Sequence, residues 1–250
     1  MTGIAAFALG LSAARSIRGQ TWAGDNVVFE PTNPVVPTAP LIAVYAGRGR
    51  SLVGDRALDF AAEVRLHIEV ILPPTVTAEG LTFNTEASQA LVFALIWRQI
   101  VQALQVQQGP WPDVFRGLLL RTTALDADRQ LVEAAKGQKI PVAAYEIHGE
   151  TIADPPIGVA ASGVWADVLA AMAGDSAEVA ALAPLLASQI LGAGSVLPDW
   201  QVAMGALGMT NAETQAIGLG PAVALNTTDA VDLADGAPVR ETVTVPAEAS

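Results

Sequence analysis

The chain has 250 residues, of which 52% are hydrophobic and 15% are charged, so it can bury a sizeable core. This length is compatible with one domain plus an extension or with two small domains. It contains no cysteine, which excludes disulfide bonds, thiolate zinc sites and thiol catalysis. The formal net charge is −12 at pH 7. Because such a surface repels phosphates, sequence-specific DNA or RNA binding is not expected.

The charge is distributed unevenly along the chain. Residues 1–150 contain 12 basic and 14 acidic side chains, whereas residues 151–250 contain 11 acidic side chains and a single basic one, Arg240. The last hundred residues are therefore a separate electrostatic region. No run of 18 or more apolar residues occurs, so a membrane span is not expected.

The N-terminal region predicts a helix rather than a secretory signal. Residues 4–14 are largely apolar, but the charges Arg15 and Arg18 follow this run, which is the wrong polarity for a signal peptide. The helical spacing of the apolar residues predicts an amphipathic first helix, which Gly19 is placed to end.

Three strands are predicted next, over Val27–Glu30, Leu41–Tyr45 and Val64–Leu72. The proline-bearing segment Pro31–Pro40 should be extended without being a central strand. The third strand alternates apolar and polar side chains, and His67 lies on its polar side, where we expect a solvated or interface histidine. A half-buried strand of this kind is typical of an antiparallel or mixed sheet.

The remaining sequence alternates helices and strands, and then becomes helical. We predict an α/β (α+β) fold, with a small mixed or antiparallel sheet flanked by helices and a helical, acidic C-terminal extension. The predicted elements are a helix over Thr85–Gln108 that Thr85 caps and Gly109-Pro110 ends, a strand over Phe115–Thr122, a short helix over Asp126–Lys136, a strand over Val142–His148, helices over Ser162–Ala173 and Ser176–Leu191 with a kink or break at Pro184, and shorter turns capped by Asp199 or Thr210.

The motifs that carry chemistry fail on spacing. Gly47-Arg48-Gly49 lacks the third glycine of a dinucleotide fingerprint, and Ser195 lacks the flanking pattern of a hydrolase elbow. His67 and His148 do not form a metal-spaced pair, and the three aspartates within residues 229–235 do not match a calcium loop. We therefore expect no catalytic residue, metal or cofactor, and a protein that is not an enzyme.

Three residues are candidates for contact with a partner protein. Arg48 and Arg50 lie in a basic glycine-containing loop after the second predicted strand, where they can meet an acidic surface. Trp111 stands between Pro110 and Pro112, which indicates an exposed loop aromatic that can anchor an interface.

The order of elements over residues 1–157 resembles that of the tail terminator, or tail-completion, proteins of long-tailed bacteriophages and gene transfer particles. The resemblance rests on Ala23–Val27 after the first helix, on the loose P-x-I-x-V-Y strand Pro40–Tyr45, on the strand Glu63–Leu72, and on the long helix with two late strands. No short invariant motif accompanies this order of elements.

The resemblance implies a virion protein of the tail or neck, assembled in the host cytoplasm. Such proteins form a ring, generally a hexamer, that caps the head-proximal end of the tail tube, stops its polymerisation and joins it to the head–tail connector or stopper. The resemblance implies no catalysis and no cofactor, with DNA only passing through the lumen. The alternatives are another neck or tail subunit, such as a connector or tube-like protein, or a small-molecule-binding α/β enzyme.

The C-terminal hundred residues exceed this family pattern. We divide the chain into a tail-terminator-like core over residues 1–157, a helical extension over residues 158–219 and an acidic arm over residues 220–250. The arm looks like weak strands. An acidic extension can line a DNA-conducting pore or decorate the outside of a ring. Its alanine-rich helices favour the outside.

Overall fold

A mixed β-sheet with helices packed against one face forms the centre of the molecule, which confirms the predicted α/β class. The computed structural model describes residues 3–32, 37–47, 50–51, 62–133, 139–192 and 197–218. The helices are α1 (Ile4–Ile17), α2 (Glu86–Gln105), α3 (Pro110–Leu118), α4 (Val164–Ala173), α5 (Ala177–Ile190), α6 (Asp199–Leu207) and α7 (Asn211–Ala216). The strands are β1 (Val27–Phe29), β2 (Leu41–Ala46), β3 (Arg50–Ser51), β4 (Ala62–Ile71), β5 (Val76–Ala78), β6 (Leu81–Phe83), β7 (Leu119–Glu133) and β8 (Lys139–Thr151).

The main sheet has the strand order β1-β2-β4-β8-β7, and β3 pairs with one end of β4. Strands β1 and β2 are parallel, whereas all other pairs in the sheet are antiparallel. Strands β5 and β6 form a separate hairpin whose turn residues Glu79 and Gly80 both have positive φ, 54° and 74°. This geometry matches the right-handed twist of the two flanking strands.

The alternation predicted for β4 is confirmed. Val64, Leu66, Ile68 and Val70 are at most 2% exposed and belong to the hydrophobic core. The intervening side chains point to the other side of the sheet, because successive residues of a strand face opposite ways. One face of the sheet thus builds the core, and the other face is polar.

The predicted first helix is confirmed, but it is buried on nearly all sides rather than along one stripe, so its expected amphipathic character is wrong. Eleven of its fourteen residues are buried, because the helix contacts both the sheet and α3. Small side chains allow this close packing. A β-carbon at Gly10 would lie 2.6 Å from Cε2 of Phe29, so a larger residue there would have to displace this ring of β1.

The first turn of α1 receives its cap from a distant part of the chain. The carboxylate of Asp154 accepts hydrogen bonds from the backbone N–H groups of Ile4 (3.1 Å) and Ala5 (2.7 Å). These donors have no partner within the helix, and the carboxylate also complements the positive end of the helix dipole. Asp154 thereby fixes the segment after β8 to the start of the chain.

Helix α2 begins as predicted at Thr85. The Oγ1 atom of Thr85 accepts from the N–H of Ser88 (3.2 Å), and the Oγ of Ser88 accepts from the N–H of Thr85 (2.9 Å), which forms a capping box. The helix packs on the sheet through Trp97, whose ring stacks on Tyr145 with centroids 4.2 Å apart. Among the described helices, only α2 is long and apolar enough to cross a membrane. The core helices of soluble proteins often meet the same criterion.

Of the two elements predicted between Phe115 and Lys136, the strand over Phe115–Thr122 is confirmed for Leu119–Thr122, which lie in β7, and the helix is wrong. Residues Phe115 to Leu118 complete α3, which Pro110 begins and which buries Val114, Phe115 and Leu118. The predicted helix over Asp126–Lys136 lies in β7 as far as Glu133, and residues 134–138 are outside the described residues. Long-range pairing with β8 outweighs the helical propensity of this segment, because it supplies the backbone hydrogen bonds along the strand.

Several predicted helix boundaries also differ. Helix α2 ends at Gln105, and Gly109-Pro110 begins α3 instead of ending α2. Gly163 takes the N-cap position predicted for Ser162, and α5 runs unbroken past Pro184. Gly174 is the C-cap of α4. The predicted cap at Thr210 is confirmed, because its Oγ1 atom accepts from the N–H of Glu213 at 3.3 Å.

Helices α4 and α5 share the main hydrophobic core. Trp165, Val168 and Met172 of α4 and Val179 of α5 belong to the same buried cluster as α1 and the sheet. The division of the chain at residue 157 stays a prediction, as does the acidic arm over residues 220–250, which lies outside the described residues.

We expect Asp154→Ala to lower the free energy of unfolding by about 1–2 kcal/mol, because two N–H groups at the start of α1 lose their acceptor. Urea denaturation followed by circular dichroism measures this change. Asp25→Ala is the control: it removes an exposed carboxylate before β1 and should alter stability by less than about 0.5 kcal/mol. Equal midpoints for the two variants would contradict the capping role.

Candidate functional site

The face of the sheet opposite the helices carries a cluster of ionisable side chains, which we call the polar sheet face. Four neighbouring strands contribute to it, because residues paired across strands point the same way. Its members are Tyr45 of β2, Arg65, His67 and Glu69 of β4, Glu146 and His148 of β8, and Asp126 of β7.

One half of the polar sheet face is a network centred on Glu69. The Nε2 atom of His67 lies 3.1 Å from Oε1 of Glu69, and the hydroxyl of Tyr45 donates to Oε2 of Glu69 at 3.4 Å. The rings of Tyr45 and His67 also pack against each other, with centroids 5.8 Å apart. One carboxylate thus fixes the orientation of two aromatic side chains.

The network shifts the protonation of its members. The hydrogen bond with Glu69 raises the pKa of His67 above its ordinary value, although burial opposes the shift. The same hydrogen bond lowers the pKa of Glu69. Burial, together with the adjacent Glu69 charge, raises the pKa of Tyr45. His67 therefore holds a proton more readily than an isolated histidine.

The other half joins three strands through His148. Its Nε2 atom lies 2.9 Å from Oδ2 of Asp126 and 3.7 Å from Oε1 of Glu146. Nη1 of Arg65 is 3.5 Å from the same oxygen of Glu146. Both histidines of the chain therefore lie beside carboxylates on one face of one sheet. Sequence reasoning missed this pairing, since it placed His148 at a strand end and Asp126 on a helix.

This arrangement can bind protons and form ion pairs with a partner surface. The side chains of His67, Glu69 and Glu146 are each 27–33% exposed on an open sheet. An open depression of about 320 Å³ lies elsewhere, where Pro110 of α3 faces Ala170 of α4. No group of three or more histidine, aspartate or glutamate side chains in the described part of the chain has an arrangement that could hold a metal ion. The geometry is that of an interaction surface.

The second notable feature is the outer edge of β7. Every residue from Leu120 to Glu133 is exposed, and the exposed apolar side chains include Leu125 and Leu131, which are 49% and 65% exposed. No described strand pairs with this edge. An edge of this length presents a row of backbone N–H and C=O groups to which another strand can bind.

The opposite edge of the sheet is short and protected. Strand β1 has three residues, and the guanidinium of Arg18 donates to the carbonyl oxygen of Val27 at 2.8 Å. The carbonyl oxygen of Asn26 and the N–H of Glu30 bond to β2. Because successive residues of a strand alternate in direction, the carbonyl of Val27 points away from β2. The two edges of the sheet are therefore unequal, and β7 is the one open to pairing.

The residues predicted to contact a partner lie in different places. Arg48 is outside the described residues, and the backbone of Arg50 lies in β3 opposite Glu63. Trp111 lies in the first turn of α3 and packs partly buried against the core, so its interpretation as a loop aromatic is wrong. The interface role of these three residues stays a prediction.

Trp111 belongs to a polar contact between helices. Its Nε1–H donates to Oδ2 of Asp175 at 2.8 Å, and Nη2 of Arg15 lies 3.1 Å from Oδ1 of the same carboxylate. Burial acts to raise the pKa of Asp175, but hydrogen bonds from Ser176, the Arg15 charge and the Trp111 bond together hold it below its ordinary value. The contact connects α1, α3 and the turn between α4 and α5.

We expect Glu69→Gln to lower the pKa of His67, since it removes the interaction that raises this pKa and leaves the burial that lowers it. An NMR titration of the two imidazoles, assigned with His148→Gln, measures the change. A raised pKa contributes stability that is complete below about pH 6.5 and is lost as pH rises through the folded-state pKa. The stability difference between wild type and His67→Gln should therefore shrink above about pH 6.5, and a difference that grows there would contradict the network.

We expect Trp111→Phe to lower the free energy of unfolding by about 1–3 kcal/mol, because the charge-assisted hydrogen bond to Asp175 is lost and a smaller phenyl ring replaces the indole. Denaturant unfolding measures the change. In an Asp175→Asn background the same substitution should cost less, because the acceptor is no longer charged. Equal costs in the two backgrounds would show that the indole N–H does not stabilise the fold through this carboxylate.

Comparison with protein-family models finds no match for this chain, and comparison with curated proteins finds none either.

Proposed function

We propose that this chain is a structural subunit of a phage-like particle that assembles into a ring, of the tail terminator type. In this role the ring caps the head-proximal end of the tail tube, stops tube polymerisation and joins the tube to the head–tail connector or stopper. The observation that carries the proposal is the outer edge of β7, with which none of the strands in the described residues pairs and which is long, exposed and partly apolar. The resemblance in element order over residues 1–157 supports the choice of particle.

The β7 edge has the properties of an assembly surface. Natural sheets protect their edges with short strands, prolines, bulges or covering groups, because a bare edge pairs with other chains. The β1 edge of this sheet is short and capped by Arg18, and β7 carries bulges only near its start, before Leu125. From Leu125 to Glu133 the strand pairs regularly with β8 along one edge, and no described strand pairs with its other edge.

A ring requires a heterologous contact, in which two different surfaces of neighbouring copies meet. Strand β7 supplies one of these surfaces, and the unequal sheet edges disfavour a simple pairing of the two edges of neighbouring sheets. The polar sheet face supplies a second, charged surface suited to the tail tube or the connector. Another neck or tail subunit would use the same surfaces. Binding to the tail tube therefore distinguishes a tail terminator from these alternatives.

The paired substitution Leu125→Lys with Leu131→Lys tests the proposal. Because both side chains are exposed, we expect little change in subunit stability, about 0.5 kcal/mol or less for each. The added charges should weaken assembly at least tenfold in the midpoint concentration. Native mass spectrometry and negative-stain electron microscopy measure the assembly and show whether it is a ring.

Leu81→Lys is the matched control, because Leu81 is 61% exposed on the separate β5–β6 hairpin. This variant should assemble like wild type. A wild-type chain that stays monomeric at all accessible concentrations would contradict the ring. If rings form, loss of the chain from producing cells should yield tubes of uncontrolled length, and tubes of normal length would contradict the terminator role.

A further inference from the structure

We propose that the β7 edge is completed by the C-terminal segment Val239–Val245 of a neighbouring copy, which adds to the sheet as a strand antiparallel to β7. This inference rests on the proposed assembly of copies and names the group that occupies the edge. The segment lies outside the described residues, so its pairing is argued from its sequence and from the described surface of β7.

The two sides of β7 differ in character. Leu125, Ala127 and Arg129 pair with Ile147, Tyr145 and Ala143, and the last two of these face the helices. The guanidinium of Arg129 accordingly lies 5.7 Å from the ring centre of Phe93 on α2. Between Leu125 and Leu131, the helix side of β7 is thus apolar apart from one cation. The residues between them, Asp126, Asp128 and Gln130, lie on the side of the polar sheet face.

The C-terminal segment has a matching alternation. Its sequence is Val-Arg-Glu-Thr-Val-Thr-Val, rich in β-branched residues that favour strands, and Pro246 follows directly. Val239, Val243 and Val245 would share one side of a strand with Glu241. The other side would carry an arginine and two threonines. One side is therefore apolar apart from one anion, which complements the helix side of β7.

One antiparallel register satisfies both sides at once. With Glu241 opposite Arg129, the valines fall opposite the exposed apolar residues of β7, and the threonines fall opposite its aspartates. Arg240 lies diagonally across from Asp128, within reach of a long side chain. The opposite pairs on the helix side are Val239 with Leu131, Val243 with Ala127 and Val245 with Leu125. A shift by one residue would place valines opposite aspartates, so the register is well specified.

The chain before the segment sets how far the segment can reach. Residues 219–238 separate the last described residue, Gly218, from the segment, and these twenty residues span at most about 65 Å when extended, at roughly 3.3 Å per residue. The segment and the β7 edge are two different surfaces of one chain. Their pairing between neighbours is the heterologous contact that a ring requires.

Cysteine cross-linking tests the pairing, and the natural chain has no cysteine to interfere. Full-length Ala127→Cys and full-length Val243→Cys are mixed in equal amounts under mild oxidation. We expect a covalent dimer on a non-reducing gel from the mixture. Thr242→Cys replaces Val243→Cys in the control mixture, and it should give at least tenfold less dimer because residue 242 faces the other side of the strand.

A double variant carrying both cysteines in one chain distinguishes exchange from folding back. If it forms only an internal disulfide, and the mixture gives no dimer, then the segment pairs within its own chain and the proposal is wrong. A chain ending at residue 238 should assemble at least tenfold more weakly than the full chain. Two results together would overturn this inference and leave the proposed ring standing: the chain ending at residue 238 forms rings as well as the full chain, and the full-length cysteine mixture gives no cross-link.

Discussion

Helix α1 is buried on nearly all sides, so the polar groups that it carries into the interior require partners. Ser12 and Ser16 donate to carbonyl oxygens of α1 itself, whereas the N-terminal N–H groups and Arg15 are paired by other parts of the chain. Asp154 accepts the first two N–H groups of the helix, and Asp175 pairs with Arg15 near its other end. The helical layer of the fold is arranged around these two carboxylates. The sheet can then use one whole face for this layer, because α1, α2 and α3 pack together on that side.

The concentration of helices on one face leaves the other face of the sheet for charged residues. That face collects both histidines and their carboxylate partners, and the hydrogen bond to Glu69 raises the pKa of His67, so His67 keeps its positive charge to a higher pH than an isolated histidine. The sheet also has two edges that differ in length and chemistry. Strand β7 is long and exposed, whereas β1 is short and accepts a hydrogen bond from Arg18. A subunit with distinguishable ends is suited to head-to-tail contacts, which build rings rather than two-fold dimers.

The sequence predicted those elements whose signal is local. The alternation of β4 and the Thr85 cap of α2 depend on neighbouring residues, and the structure confirms both. The segment from Asp126 to Glu133 has good helix formers and acids in helical positions, yet it forms β7, because its backbone pairs with β8. The contact between Asp126 and His148 depends on that pairing and its register, which no local pattern specifies.

The distant cap of α1 also affects how the chain folds during synthesis. Ile4 and Ala5 leave the ribosome well before their acceptor Asp154, which follows Ile4 by 150 residues. At about 5–20 residues per second, the apolar helix waits on the order of 10–30 s before its cap exists. During that interval the helix presents leucine and alanine side chains without its final neighbours. Chaperones that hold apolar segments would act on this N-terminal region, and the core would close only after most of the chain has been made.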